Sequence, residues 1–361
     1  MSTTMNYAKM MLVASGLVLA GSLGFAGPGQ AQLVVDGETI ADAALLQAAR
    51  AEGQFLYYTT NLEDNERAAL DEFRKDTGIR SEVVRLNGSR MYERVMTEAS
   101  GNKLAADLIN LSDFVLMQNV VDKNILVRHR VQSWDAIPAD LKHPDGLFYV
   151  QNRYAKILGY NTARVKKEDA PKSWKDLLDP RFRGAVGIQE ANSGGIGWTT
   201  AMLQRQVVDP QYWQKLAANR PKLYTGLTQA SEDVARGELF VAEMLPAQGR
   251  AMLDAGAPIA LAFPSEGIPA SAILTGVTAT AKNPNAAKLY LNWILSKRGG
   301  TVIAEKFLDW PTHPQAPAPT LAKYNITFPP ATLLWMGKKE DWVNLKDAWI
   351  KEWDQAYRSG K

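Results

Sequence analysis

Residues 54–123 alternate short β-type runs with amphipathic helical stretches. The run FLYY at 55–58 has strand character. The segment 63–77 brings Ala69, Leu70 and Phe73 onto one helical face and closes at Gly78. The pattern then predicts a strand over 81–86, a helix over 91–99, a strand over 107–111 and a helix over 114–123. Upstream, residues 38–52 read as a helix ending at Gly53. This βαβαβα rhythm predicts a parallel sheet with helices on both faces.

Residues 147–160 (LFYVQNRYAKILGY) form an unusually long strand pattern. A strand of that length can pass from one lobe into another, and the crossing is expected near residues 150–152. A short helix over 173–178 follows, then the Asp179-Pro180 breaker, a buried strand over 185–189 and Asn192-Ser193-Gly194-Gly195 opening a helix. Helices over 211–218, 228–236 and 250–255 alternate with strands over 222–225, 239–244 and 258–263. The breaker-rich PSEGIP at 264–269 reads as a linker, followed by a return strand over 272–279 and a helix over 285–295. Residues 311–332, rich in proline and alanine, read as an irregular arm. A last helix over 341–357 carries Trp342, Leu345, Trp349 and Trp353 at helical spacing, a stripe that packs the tail onto a lobe.

At 361 residues the chain is too long for one small core, so two lobes are expected. The 41 basic and 38 acidic residues nearly cancel, and no basic run interleaved with aromatics argues for nucleic acid. The absence of cysteine excludes disulfides, thiolate metal sites, a cysteine nucleophile and a lipoprotein anchor. Lys9, an apolar run over 10–21 and the small residues ending Gly29-Gln30-Ala31 follow the order of a secretory signal. The run is shorter than the about 20 residues of a membrane span. Cleavage after Ala31 leaves a soluble, exported chain of net charge +2, since Lys9 is the charged residue removed.

Several of these segments, in order, resemble the type II solute-binding proteins of ABC importers, in the group that binds ferric iron and organic anions. FLYYTT, the helix ending DTGI, the strand leading to NGSR, and DLINLSD resemble the first lobe. YAKILGYNT followed by PKSWKDLLDPRFRGAVGI, and later PSEGIPASAILTGVTATAKNPNAAKLYLNWILSKRGG, resemble the second-lobe entry and the return segment. The resemblance spans about residues 50–310. It implies an α/β fold of two doubly wound lobes joined by crossing hinge strands, with ligand held between them by hinge closure. The expected organisation is a signal peptide over 1–31, a first lobe over 32–150 plus 268–310, a second lobe over 151–267, and a C-terminal arm and helix over 311–361. The implied protein is a periplasmic monomer without cofactor that delivers a solute to an inner-membrane permease.

One departure bears on the ligand. Ferric-ion binders of this group place adjacent tyrosines after the strand here at 239–244, where this chain has Leu245-Pro246-Ala247-Gln248. The expected ligand is therefore a small organic anion, a carboxylate or a phosphate or phosphonate ester, with ferric iron as the alternative. A sensory partner and a secreted enzyme on the same scaffold are further alternatives. For the enzyme, the three histidines lie far apart and no G-x-S-x-G elbow is present.

Four strand-to-helix turns are expected to face the ligand. Thr59, Thr60 and Asn61 offer hydroxyls and an amide at a helix entry, or simply cap it. Ser89 and Arg90 offer a hydroxyl and a bidentate guanidinium. Ser112 offers a hydroxyl, while Asp113 caps the following helix. Asn192, Ser193, Gly194 and Gly195 offer free backbone N–H groups at a positive dipole end. Arg153 and Tyr154 follow the expected crossing, and Glu243 and Gln248 could read an amine or hydroxyl of the ligand. No metal site and no catalytic residue is expected.

Overall fold

The computed structural model describes residues 32–358; the signal-peptide expectation falls on residues outside that range. Two mixed β-sheets organise the chain. In the first, the strands run in the order Trp310–Pro311, Tyr149–Ala155, Ile268–Val277, Leu108–Leu111, Gln54–Thr59 and Arg80–Arg85, with Leu334–Trp335 pairing alongside Ile268–Val277. In the second the order is Ile259–Ala262, Ile157–Asn161, Val241–Met244, Val186–Gln189 and Lys222–Tyr224. The βαβ segments pair in parallel as the sequence rhythm predicts. The strands by which the chain crosses or returns pair antiparallel, so neither sheet is wholly parallel.

The long 147–160 pattern is two strands rather than one. Tyr149–Ala155 belongs to the first sheet and Ile157–Asn161 to the second, so the crossing lies at Lys156 and not at 150–152. The chain returns between Ala262 and Ile268; the return strand Ile268–Val277 already includes part of the predicted linker. Other boundaries differ too: the helix expected over 250–255 runs Pro246–Asp254, and the last helix is split into Lys339–Asn344 and Lys346–Arg358. Glu38–Ala41 is a strand paired with Leu33–Val35, and the helix Ala43–Glu52 starts only after Asp42, whose carboxylate accepts from Leu45 N at 2.8 Å. The helix predicted from 91 begins at Gly88, capped by Asn87.

Each sheet carries its own core. Phe55, Tyr57, Phe73, Tyr290 and Trp293 form a ring cluster under the first sheet. Trp174, Trp198, Trp213 and Tyr212 fill the second. The tryptophan stripe of the tail packs here. In the helix Lys346–Arg358, Trp349 meets Trp198 and Trp213 edge-on, with ring centroids 6.2 and 5.9 Å apart, and Trp353 is buried. Truncating any one of these rings to alanine should cost about 3–5 kcal/mol.

Candidate ligand-binding cleft

Between the two sheets lies a cavity of about 340 Å³. Its walls include residues at the starts of five helices: Leu62, Asn87 and Gly88, Gly194, Gly226 and Leu227, and Leu245. This follows from topology, because parallel strands deliver the following helix starts to one edge of a sheet. The helices that follow Leu62, Gly194 and Gly226 have no side-chain cap, so their first N–H groups keep their donor capacity and the positive end of the dipole.

The first turn is built from below by two buried groups. Glu66 accepts from Thr59 Oγ1 at 3.0 Å, Asn61 Nδ2 at 2.7 Å and Tyr290 OH at 2.7 Å. Burial pushes the Glu66 carboxyl up, and those hydrogen bonds offset it only in part. Asn110 donates to Thr59 Oγ1 and accepts from both N and Oγ1 of Thr60. Thr59 is thus committed to the protein interior, while Thr60 and Asn61 line the cavity.

Ser112, Tyr154, Ser193, Gly194 and Gln248 line it too. Burial pushes the Tyr154 hydroxyl up to about 12, against hydrogen bonds with Ser271 and Ser112, so it remains a neutral phenol. Gln248 braces the loop: its Oε1 accepts from Leu245 N at 3.0 Å and its Nε2 donates to Thr228 Oγ1 at 3.2 Å.

Other expected residues stand elsewhere. Arg90 lies exposed in the first turn of the helix Gly88–Ser100 and does not line the cavity, because that helix starts earlier than its apolar pattern suggests. Ser89, Asn192 and Gly195 border a smaller neighbouring pocket with Asp113 and Lys346. Gly195 serves the approach of the two lobes: a Cβ there would fall 2.2 Å from the Ser112 carbonyl oxygen and 2.6 Å from Ser271 Oγ. Arg153 precedes Tyr154 on one strand, and side chains alternate across a sheet, so it faces away. Glu243 is fully buried in an ion pair with Lys156 and does not reach the cavity.

Arg85, Gln189 and Asp309 are among the lining residues that escaped the sequence reading. Arg85 ends its strand, donates from Nε to Asn61 O at 3.3 Å and has no carboxylate partner among the described residues. Its position at the carboxyl end of a parallel strand was the available signal. Gln189 ends the strand Val186–Gln189; its Nε2 donates to Ser193 O while its buried Oε1 has no partner among the described residues. Asp309 is 7% exposed and accepts from Asn152 Nδ2 at 2.7 Å. Burial pushes its carboxyl well above the usual range. The pattern around Asp309 carries no signal, because a left-handed turn at Leu308 (φ 59°) delivers it.

The family model described as bacterial extracellular solute-binding protein matches residues 104–334. A periplasmic protein of Salmonella typhi named for 2-aminoethylphosphonate binding is 27% identical over 256 residues, covering 67% of this chain and 71% of that protein. Iron uptake protein A1 of Synechocystis is 19% identical over 270 residues, covering 69% and 72%. Among solved structures, the periplasmic binding protein AfuA from Actinobacillus pleuropneumoniae, with fructose-6-phosphate bound, superposes with a TM-score of 0.70 at 20% identity, covering 85% of this chain and 99% of that one.

Proposed function

The chain belongs to the bacterial extracellular solute-binding proteins, and from that premise we propose that its cleft captures a small anionic solute, an organic carboxylate or a phosphate or phosphonate ester, by closure of the two lobes. The family supplies the periplasmic substrate-binding component of ABC importers, which implies a permease partner. The relatives are solute-binding proteins rather than enzymes. Among the described residues no helix is long and apolar enough to cross a membrane. Residues 1–31 act as the export signal in this reading, and the mature protein works as a periplasmic monomer without chemistry on its ligand.

The observation that carries the anion is Arg85. An arginine without a carboxylate partner stands at a cavity onto which uncapped helix starts converge. Thr60, Asn61, Ser112, Ser193 and Gly194 are the proposed hydrogen-bonding partners of the same anion. Ferric iron fits the walls less well. The lining offers a single tyrosine, neutral Tyr154, and a single carboxylate, Asp309. A hard trivalent cation asks for several anionic oxygens.

Isothermal titration of the mature protein against phosphate, phosphonates, carboxylates and Fe(III) tests this. Saturable binding of an organic or phosphorylated anion is expected. Tight binding of Fe(III) with no organic anion bound would overturn it.

A further inference from the structure

We propose that the solute is a zwitterion, a small aminoalkyl anion whose ammonium group is received by Asp309 and Gln189 Oε1 while Arg85 and the helix starts hold its anionic end. The proposal rests on the anion reading above and adds the second charge.

Among the described residues that line the cavity, Asp309 is the one carboxylate. Its one side-chain hydrogen bond is from Asn152 Nδ2, to Oδ2. No lysine, arginine or histidine pairs with it among the described residues, although the residue is more than nine-tenths buried. A buried carboxylate without a cation is costly, and proteins usually supply one or neutralise the group. Here burial already drives the carboxyl toward protonation, and a ligand ammonium would supply the missing partner.

A second, independent observation lies in the other lobe. Gln189 is 9% exposed and lines the cavity, yet its buried Oε1 accepts nothing among the described residues. A buried acceptor left empty costs free energy that an incoming N–H donor recovers. An alkyl carboxylate brings no such donor, whereas an ammonium brings three. The strained turn at Leu308, with φ 59° on a non-glycine residue, holds Asp309 in place and is the kind of cost that recurs at ligand sites. Phe307 and Ile273 in the same lining give the short alkyl spacer an apolar wall.

The test compares matched pairs differing only by the amine: 2-aminoethylphosphonate against ethylphosphonate, and β-alanine against propionate, by isothermal titration on the wild type, Asp309→Asn and Gln189→Leu. The wild type should bind the aminated member of one pair roughly 10- to 100-fold more tightly. Asp309→Asn should erase that preference, because the aminated member loses its charged partner and gains nothing over the amine-free one. Gln189→Leu should reduce the preference in part. Equal affinity for both members of each pair would overturn the zwitterion and leave the anion reading standing. A preference that survives Asp309→Asn would overturn the assignment of Asp309. Failure of both members of both pairs to bind would overturn the anion reading, and this one with it.

Discussion

Lys156 Nζ lies 2.9 Å from Glu243 Oε2, with both side chains essentially inaccessible to solvent. Lys156 is the residue at which the chain leaves one sheet for the other. Glu243 also accepts from the backbone N of Gln189 at 2.8 Å and from Gln204 Nε2 at 3.3 Å. One carboxylate thus ties the hinge to the strand end that carries a cavity side chain. Burial pulls the Lys156 ammonium below its ordinary range, and Glu243 opposes the shift.

Removing one partner leaves the other charge buried and unpaired, so Lys156→Met should destabilise the fold by about 3–5 kcal/mol. The double variant Lys156→Met/Glu243→Leu should recover most of that loss, because no unpaired charge remains. Urea denaturation of the four corners of this cycle decides it. A single-variant loss below about 1 kcal/mol would show the pair to be irrelevant to stability.

Arg85→Ala should weaken anion binding by about 2–5 kcal/mol, since it removes a charged donor from the cavity wall. Arg90→Ala should leave affinity unchanged, as Arg90 is exposed outside the lining. Titration of both variants with the best-binding anion separates the two arginines. A larger loss at Arg90 would restore the assignment drawn from sequence.

The order of elements was readable because each parallel βα unit carries its own local signal. The helix Glu63–Thr77 matches its apolar face and its glycine cap, and the turns at Thr60–Asn61, Ser112 and Ser193–Gly194 do reach the cavity. What failed was reach. The NGSR motif draws attention to Arg90, but Asn87 starts the helix three residues earlier and turns that side chain out. Arg85, one strand-end upstream, looks like any charged residue in an alternating strand. Glu243 had the right neighbours in sequence, yet its partner Lys156 is 87 residues away, a pairing that periodicity does not encode. Asp309 sits in a segment of weak pattern, placed by a single positive φ.

Gly195→Ala should impair closure more than folding. The added methyl group would sit 2.2 Å from the Ser112 carbonyl, on the opposite lobe, with backbone that cannot swing aside. Helix propensity favours alanine over glycine, so a variant whose lobes part to relieve this clash should keep its melting temperature, whereas one that keeps the contact should lose stability. Apparent affinity should fall about tenfold or more, in proportion to the lost closed population. Small-angle scattering should show a smaller contraction on adding ligand. Wild-type affinity would mean that this contact is not made in the bound form.

Acid should weaken the second lobe through Asp233. Burial pushes this carboxyl up, but hydrogen bonds from Lys222, Tyr224 and Gln229 outweigh it and bring it down from 3.8 to about 2. Lys222 Nζ stands 2.6 Å away and Arg236 also pairs with it, both about half exposed. With the folded-state value below the unfolded one, the unfolded chain binds more protons in between. The stabilisation is therefore complete above about pH 4 and is lost as pH falls through about 2. Allowing for solvent around the two cations, Asp233→Asn should cost about 1–2 kcal/mol at pH 7. The gap from wild type should narrow steadily below pH 4. Urea unfolding at pH 7, 4 and 2.5 measures it. A gap that stays constant across the three would mean that Asp233 contributes through packing rather than through its charge.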